Sequence, residues 1–173
     1  TVFYKTGRNA EGMELLRRNI NAVIKEPETK GLLKSTVEYL VSNDDAASII
    51  GFSRYFAAGD MDYVNISIAN IYFREKNYNK AFTYYSKIQG ESEFKTEVLY
   101  RTALIHEQFY RNTRMAIQLF QQLADSAETD EYVSAGKIEL ALLYYEKGQK
   151  DLSGKILSDV VGKKENIAAI IKA

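Results

Sequence analysis

Apolar residues along this chain recur at three- and four-residue spacings, the period of an amphipathic helix, and no run alternates strictly enough to make a strand. The pattern predicts a first helix over 8–25, with Met13, Leu16, Ile20 and Ile24 on one stripe. Pro27 should end it, because the residue before a proline avoids the helical region. A second helix is predicted over 30–42 through Leu33, Val37 and Leu40. Ser42-Asn43-Asp44 stops it and caps a third, over 45–57, which carries Ile49, Phe52 and Phe56 and closes at Gly59-Asp60.

From residue 61 the chain repeats itself. Ala69 and Tyr72 recur 34 positions later as Ala103 and His106, and a further 38 positions on as Ala141 and Tyr144. Each block is followed by a second amphipathic stretch: Tyr78 to Tyr85, then Ala116 to Phe120, then Gly154 to Leu157. The connecting turns are Glu75-Lys76-Asn77, Arg111-Asn112-Thr113 and Lys147-Gly148-Gln149. Each unit therefore reads as two helices and a short polar turn. Small residues at Ala69, Ala103 and Ala141 let the second helix come close, and Ala81, Ala116 and Gly154 reciprocate. Tyr72, Tyr144, Tyr85 and Phe120 fill the wedges between pairs, which must stack because one pair cannot bury its apolar face alone.

This pattern resembles the tetratricopeptide repeat, a helix-turn-helix unit of about 34 residues. The stretch from Asp62 to Glu93 matches best, with Ala69, Tyr72, Tyr78, Ala81 and Tyr85 at the family's spacings. The second unit has one extra residue in its turn and His106 in place of Tyr; the third has Gly154 for Ala and Leu157 for the aromatic. The proline frequent between units of the family is missing. The resemblance implies an all-α fold, a right-handed α-solenoid of antiparallel helix pairs with about nine to ten helices. The implied organisation is N-terminal helices over 1–60, in which Val37 and Ala47 or Phe52 sit where a degenerate repeat would place them. Three repeats follow over 61–163, and a capping helix over 164–173 carries Ile167, Ile170 and Ile171. The longer second spacing is expected to be one added helical turn near Asp130–Val133.

Composition narrows the function. Lys plus Arg balances Asp plus Glu at 23 each, without the basic excess usual in nucleic-acid binders. There is no cysteine, so disulfides, thiolate metal sites and cysteine nucleophiles are all excluded. The single proline leaves long helices possible, and thirteen Tyr with eight Phe supply bulky packing wedges. No apolar run is long enough to cross a bilayer, and no basic-then-apolar signal segment opens the chain. It begins with Thr1 rather than Met, as expected of a segment trimmed or matured from a longer product. Arg8, Arg17, Arg18 and Lys25 are interspersed with Glu11, Glu14 and Glu26, which reads as a solvated helix face.

The reactive inventory is thin. His106 is the one histidine, at a position where the neighbouring units place a packing Tyr, and Glu107 and Glu139 are not at a recognisable metal-ligand spacing. Gly7 to Gly12 lacks the Lys-Ser/Thr of a phosphate loop, and Asn43-Asp44-Asp45 lacks the register of a calcium loop. Asn65-Ile66-Ser67 is a formal glycosylation triplet inside a helix. No catalytic residue, metal or cofactor is expected. A second stripe on the first helix of each unit is more informative: Tyr63, Ile66, Asn70 and Phe73, then Glu97, Tyr100, Leu104 and Glu107, then Ala135, Ile138, Leu142 and Tyr145. The resemblance implies that first helices line a concave groove. That makes Tyr63, Ile66, Asn70, Phe73, Arg74, Tyr100, Leu104, Ile138, Leu142 and Tyr145 its lining. With Ile66, Tyr100 and Leu104 where chaperone-tail clamps use polar or basic residues, the groove is apolar, and only Asn70 fits a clamp. Two occupants stay open, a partner's helix or extended peptide and the protein's own N-terminal helices or cap. The expected function is a non-catalytic protein-binding scaffold. The alternative is a homo-oligomerising structural module of a bacterial cell-envelope or motility complex, the setting in which bacterial members of the family often serve.

Overall fold

The computed structural model describes residues 29–127 and 129–172, together with 11, 14, 15, 18 and 19, and side chains through Gly162. Among these the chain is helical, with no strand. Eight α-helices follow in order: α1 Thr29–Ser42, α2 Ala46–Phe52, α3 Met61–Arg74, α4 Tyr78–Tyr85, α5 Lys95–Leu104, α6 Thr113–Ala124, α7 Glu131–Glu146 and α8 Lys150–Lys172. Short 3-10 turns at Ser53–Tyr55 and Ala58–Asp60 link α2 to α3. The helix expected at 8–25, and Pro27 with it, lie largely outside the described residues. Residues 11, 14, 15, 18 and 19 are helical, and Arg18 pairs with Glu14 at 2.7 Å on an exposed face. The segment 164–173 was expected to be a separate capping helix. Instead α8 runs on unbroken to Lys172, because nothing between Gly162 and Glu165 breaks a helix.

One turn recurs four times. Each hairpin reverses through a residue with left-handed backbone, Asp44, Lys76, Arg111 or Gly148, at φ of 53°, 60°, 54° and 79°. The next residue, Asp45, Asn77, Asn112 or Gln149, donates its backbone N–H to a carbonyl near the end of the first helix. The acceptors are Leu40, Tyr72, His106 and Tyr144. A left-handed residue closing a helix satisfies carbonyls that would otherwise be orphaned. Asp45, Asn77 and Asn112 then cap the second helix, their side chains accepting from Ser48, Lys80 and Met115 N–H. Only Gly148 adopts the left-handed region without a Cβ penalty; the other three non-glycine residues carry about 1–2 kcal/mol of strain each.

The shared turn fixes an equivalence along the chain. Val37, Ala69, Ala103 and Ala141 each lie three residues before the acceptor, and all four are fully buried. Ile49, Ala81, Ala116 and Ser153 each donate to the carbonyl of the capping position, and all four are buried. The small residue expected at Gly154 is therefore Ser153. Gly154 is exposed and an added Cβ would meet nothing. The extra residue of the second unit does not lengthen its turn either. It is absorbed as a π-helical turn, Ile105–Phe109, where Tyr110 N–H reaches back five residues to Ile105. Of the four residues that lengthen the second repeat spacing, this is one. A second falls between Asn112 and Asp130, and two more lengthen the start of α7 between Asp130 and Ala141.

The chain forms two compact units, Thr1–Ile88 and Gln89–Ala173. In the first, Leu33, Val37 and Leu40 of α1, Ile49 and Phe52 of α2 and Val64, Ile68 and Ile71 of α3 make a continuous core. Arg74 locks the end of α3 to the first turn, donating to Asp44 Oδ1 at 2.6 Å and to the Val41 carbonyl at 3.0 Å. In the second unit α5 to α8 pack each against the next, and α5 also packs against α7. Ile105, Phe120, Leu123, Val133, Leu140 and Leu143 are buried there. Gly136, in the middle of α7, gives up about 1 kcal/mol of helix propensity. The reason is contact: a Cβ there would strike the buried Leu123 side chain, 3.2 Å from its Cγ.

Asp130 joins the second unit's two hairpins. Its Oδ1 caps α7 by accepting from Val133 N–H at 2.9 Å, and its Oδ2 accepts from the buried Thr96 hydroxyl of α5 at 2.5 Å. Replacing Asp130 by Ala removes a cap and strands a buried hydroxyl. Urea unfolding is predicted to show a loss of about 1–3 kcal/mol, and Asp130→Asn a smaller loss. Equal stability of Asp130→Ala and the unaltered chain would show that this junction is not stabilising.

Candidate functional site

The structure sorts the ten expected groove residues into two groups. In the first unit, Ile66 sits within Val64–Ala69, six consecutive buried residues of α3, and presents no free surface. Asn70 Oδ1 accepts from the buried Tyr85 hydroxyl at 2.6 Å. Phe73 packs edge-on against Tyr78 and Tyr85, and Arg74 serves the turn lock. Tyr63 is half-buried, with the Lys34 ammonium 5.0 Å from its ring centre. Burial, then Glu38, pushes its hydroxyl up to about 12. These five side chains are engaged within the fold. Asn65, of the glycosylation triplet, is buried.

In the second unit the picture differs along α7. Successive residues turn by 100°, so Ile138, Leu142 and Tyr145 share one face. They are 37 %, 50 % and 56 % exposed, while Val133, Gly136, Leu140 and Leu143 of the same helix are buried on the opposite side. The helix thus carries apolar residues on both sides, one set in the core and one in solvent. The Tyr145 ring is met by the Lys150 ammonium, 5.5 Å from its centre. Lys137, on the side of α7 toward α8, is tied to Asp159.

Across from this stripe, α5 offers less open surface. Leu104 is buried, and Tyr100 packs against Phe120 and Tyr132 at 6.1 and 5.8 Å. Burial, then Glu139, raises the Tyr100 hydroxyl above its ordinary range. Arg101 pairs with Glu97 at 3.7 Å and lies 6.0 Å from the Tyr132 ring centre. The two aromatics and the Arg101–Glu97 pair close the space between α5 and α7 at its N-terminal end.

Toward the other end of the same face the lining is acidic. Glu139 and Glu146 lie one side of the apolar stripe, at three and four residues from Leu142. Glu107 comes from the π turn of α5, close enough to both for their charges to raise its carboxyl, after burial. Burial alone raises Glu139. Glu107 Oε2 is buried and accepts no hydrogen bond from the described residues. Among the described residues no group of three or more His, Asp or Glu side chains is placed to hold a metal ion. His106, beside Glu107, is held toward its neutral form by burial and lies tilted against the Tyr110 ring, 5.3 Å between centres. Sequence reasoning named Glu107 and Glu139 only to reject a metal site. The π turn that brings Glu107 to α7 leaves no mark beyond one extra residue.

Glu107 and Glu139 have pH consequences. Their folded carboxyls titrate above their unfolded values, so the folded chain binds more protons in that interval, and stability falls as pH rises through it. Glu139→Gln, which cannot ionise, is predicted to raise stability relative to the unaltered chain at pH 7 and to lose that advantage by pH 4. Denaturant curves at the two pH values check this. A variant destabilised at pH 7 would mean that the Glu139 carboxylate is favourably held.

No family model, no curated protein and no solved structure matches the chain.

Proposed function

We propose that this is a helical-repeat scaffold of the tetratricopeptide kind, a right-handed solenoid of helix pairs that holds a segment of another protein and catalyses nothing. The observation that carries the reading is the α7 face: Ile138, Leu142 and Tyr145 stand in solvent together on a helix whose other side is already in the core. Apolar side chains scattered singly over a surface need no explanation, but a contiguous stripe marks an interaction site. A helix lying along such a stripe would anchor on Leu142 and on the aromatic ring of Tyr145, since aromatics dominate interface hot spots. The repeated turn supports the family reading independently, because one hairpin design used four times is what a stack of equivalent units requires.

A second reading has its own observation. Leu157 and Val161 of α8 are exposed one turn apart, and a second copy of the chain could cover them. That would make the protein a self-assembling module, and sedimentation velocity across a hundredfold concentration range separates the two readings.

The test uses Leu142→Glu with Tyr145→Glu in one chain. Both side chains are at least half exposed, so the change should leave the circular dichroism spectrum and melting temperature close to those of the unaltered chain. Used as bait in native extract beside the unaltered chain, the double variant is predicted to lose the captured protein. Retention of the same protein by a folded double variant would place binding elsewhere.

A further inference from the structure

The partner's chemistry can be read from what borders the stripe. Glu139 and Glu146 flank Leu142 on the side of α7 that faces α5, and the π turn of α5 adds Glu107. The cations nearby are largely committed. Arg101 is paired with Glu97 and covered by Tyr132, Lys137 is tied to Asp159 on the far side of α7, and Lys150 lies over the Tyr145 ring. Among the described residues Arg111 counters Glu107, lowering its carboxyl by less than burial and the two neighbouring glutamates raise it. The edge of the apolar face therefore carries three carboxylates, one of them with a buried oxygen that accepts nothing from the described residues.

We infer that this face takes a basic amphipathic segment of a partner protein, its apolar side on Leu142 and Tyr145 and its Lys or Arg residues on Glu107, Glu139 and Glu146. This rests on the docking role proposed above and adds the sign of the partner's charge. A cation entering beside Glu107 and Glu139 supplies a donor for the buried Glu107 oxygen and further opposite charge to both carboxylates, offsetting the cost of their burial. An acidic segment would add a like charge to three, and a neutral one would leave the three charges without that compensation.

The test is fluorescence anisotropy with two labelled probes, an 18-residue amphipathic peptide of Leu and Lys and its counterpart with Glu for every Lys. The proteins are the unaltered chain, Leu142→Ser, Glu107→Gln with Glu139→Gln, and a control in which exposed Glu91 and Glu93 become Gln. The Leu/Lys peptide is expected to bind the unaltered chain and the control alike. The Glu107/Glu139 variant should bind it about tenfold more weakly or worse, with a shallower salt dependence, and the Leu/Glu peptide should bind poorly throughout. Equal binding of the two peptides, or a Glu107/Glu139 variant indistinguishable from the Glu91/Glu93 control, overturns the charge inference. If Leu142→Ser still weakens binding in that case, the docking role stands. Binding of the Leu/Lys peptide that is unchanged in Leu142→Ser overturns the docking role itself, and this inference with it.

Discussion

The described fold depends on a reversal made in two residues. A helix can be turned back on itself so tightly only if one residue takes left-handed backbone and the next captures a carbonyl near the end of the first helix. The chain does this at Asp44-Asp45, Lys76-Asn77, Arg111-Asn112 and Gly148-Gln149. Once the reversal is set, the register of both helices follows. The residue three before the captured carbonyl and the residue four after the cap are both buried, and in the last three hairpins both are small: Ala69 with Ala81, Ala103 with Ala116, Ala141 with Ser153. Small residues there leave room for the bulky Tyr85 and Phe120, which are fully buried. The first hairpin keeps the turn but uses Val37 and Ile49 at the same positions.

The same geometry decides what is left exposed. α7 packs against α5, α6 and α8, so its inward residues are spent on neighbours. The stripe through Leu142 is what remains. An exposed apolar stripe costs solubility and brings no stability to the chain itself, so it is best explained by something that covers it. The carboxylates beside it make the same point in electrostatic form. Burial holds Glu107 and Glu139 where ionisation is disfavoured, and among the described residues Arg111 offsets this at Glu107 only in part. Such strain is common where a partner completes the arrangement.

Much of the fold was legible because its signals are local. The three-and-four spacing gave the helices from 29 to 146 closely, and the recurring Ala and Tyr gave the pairs. What was not legible had no local signature. Three of the four left-handed positions are Asp, Lys and Arg, where a reader looks for glycine. Gly154 looks like the small packing residue, yet the turn geometry gives that place to Ser153, one position earlier. Gly136 has no periodic signal, because its reason is the Leu123 side chain on another helix. Ile138, Leu142 and Tyr145 share one face of α7, as helical spacing requires. Whether that face is open depends on tertiary packing, which leaves Leu142 and Tyr145 in solvent and buries Ile66 and Leu104. Glu107 was invisible as a partner of Glu139 and Glu146, since only the π turn brings it there.

The open face of α7, with the π turn of α5 beside it, is the surface proposed to hold a partner. An amide-resolved NMR titration of the chain with the Leu/Lys peptide tests it directly. Shifts are predicted to concentrate along Ala135–Glu146 and at Ile105–Phe109, with α6 and α8 nearly silent. Shifts gathered on α6 and α8 while α7 stays still would contradict it.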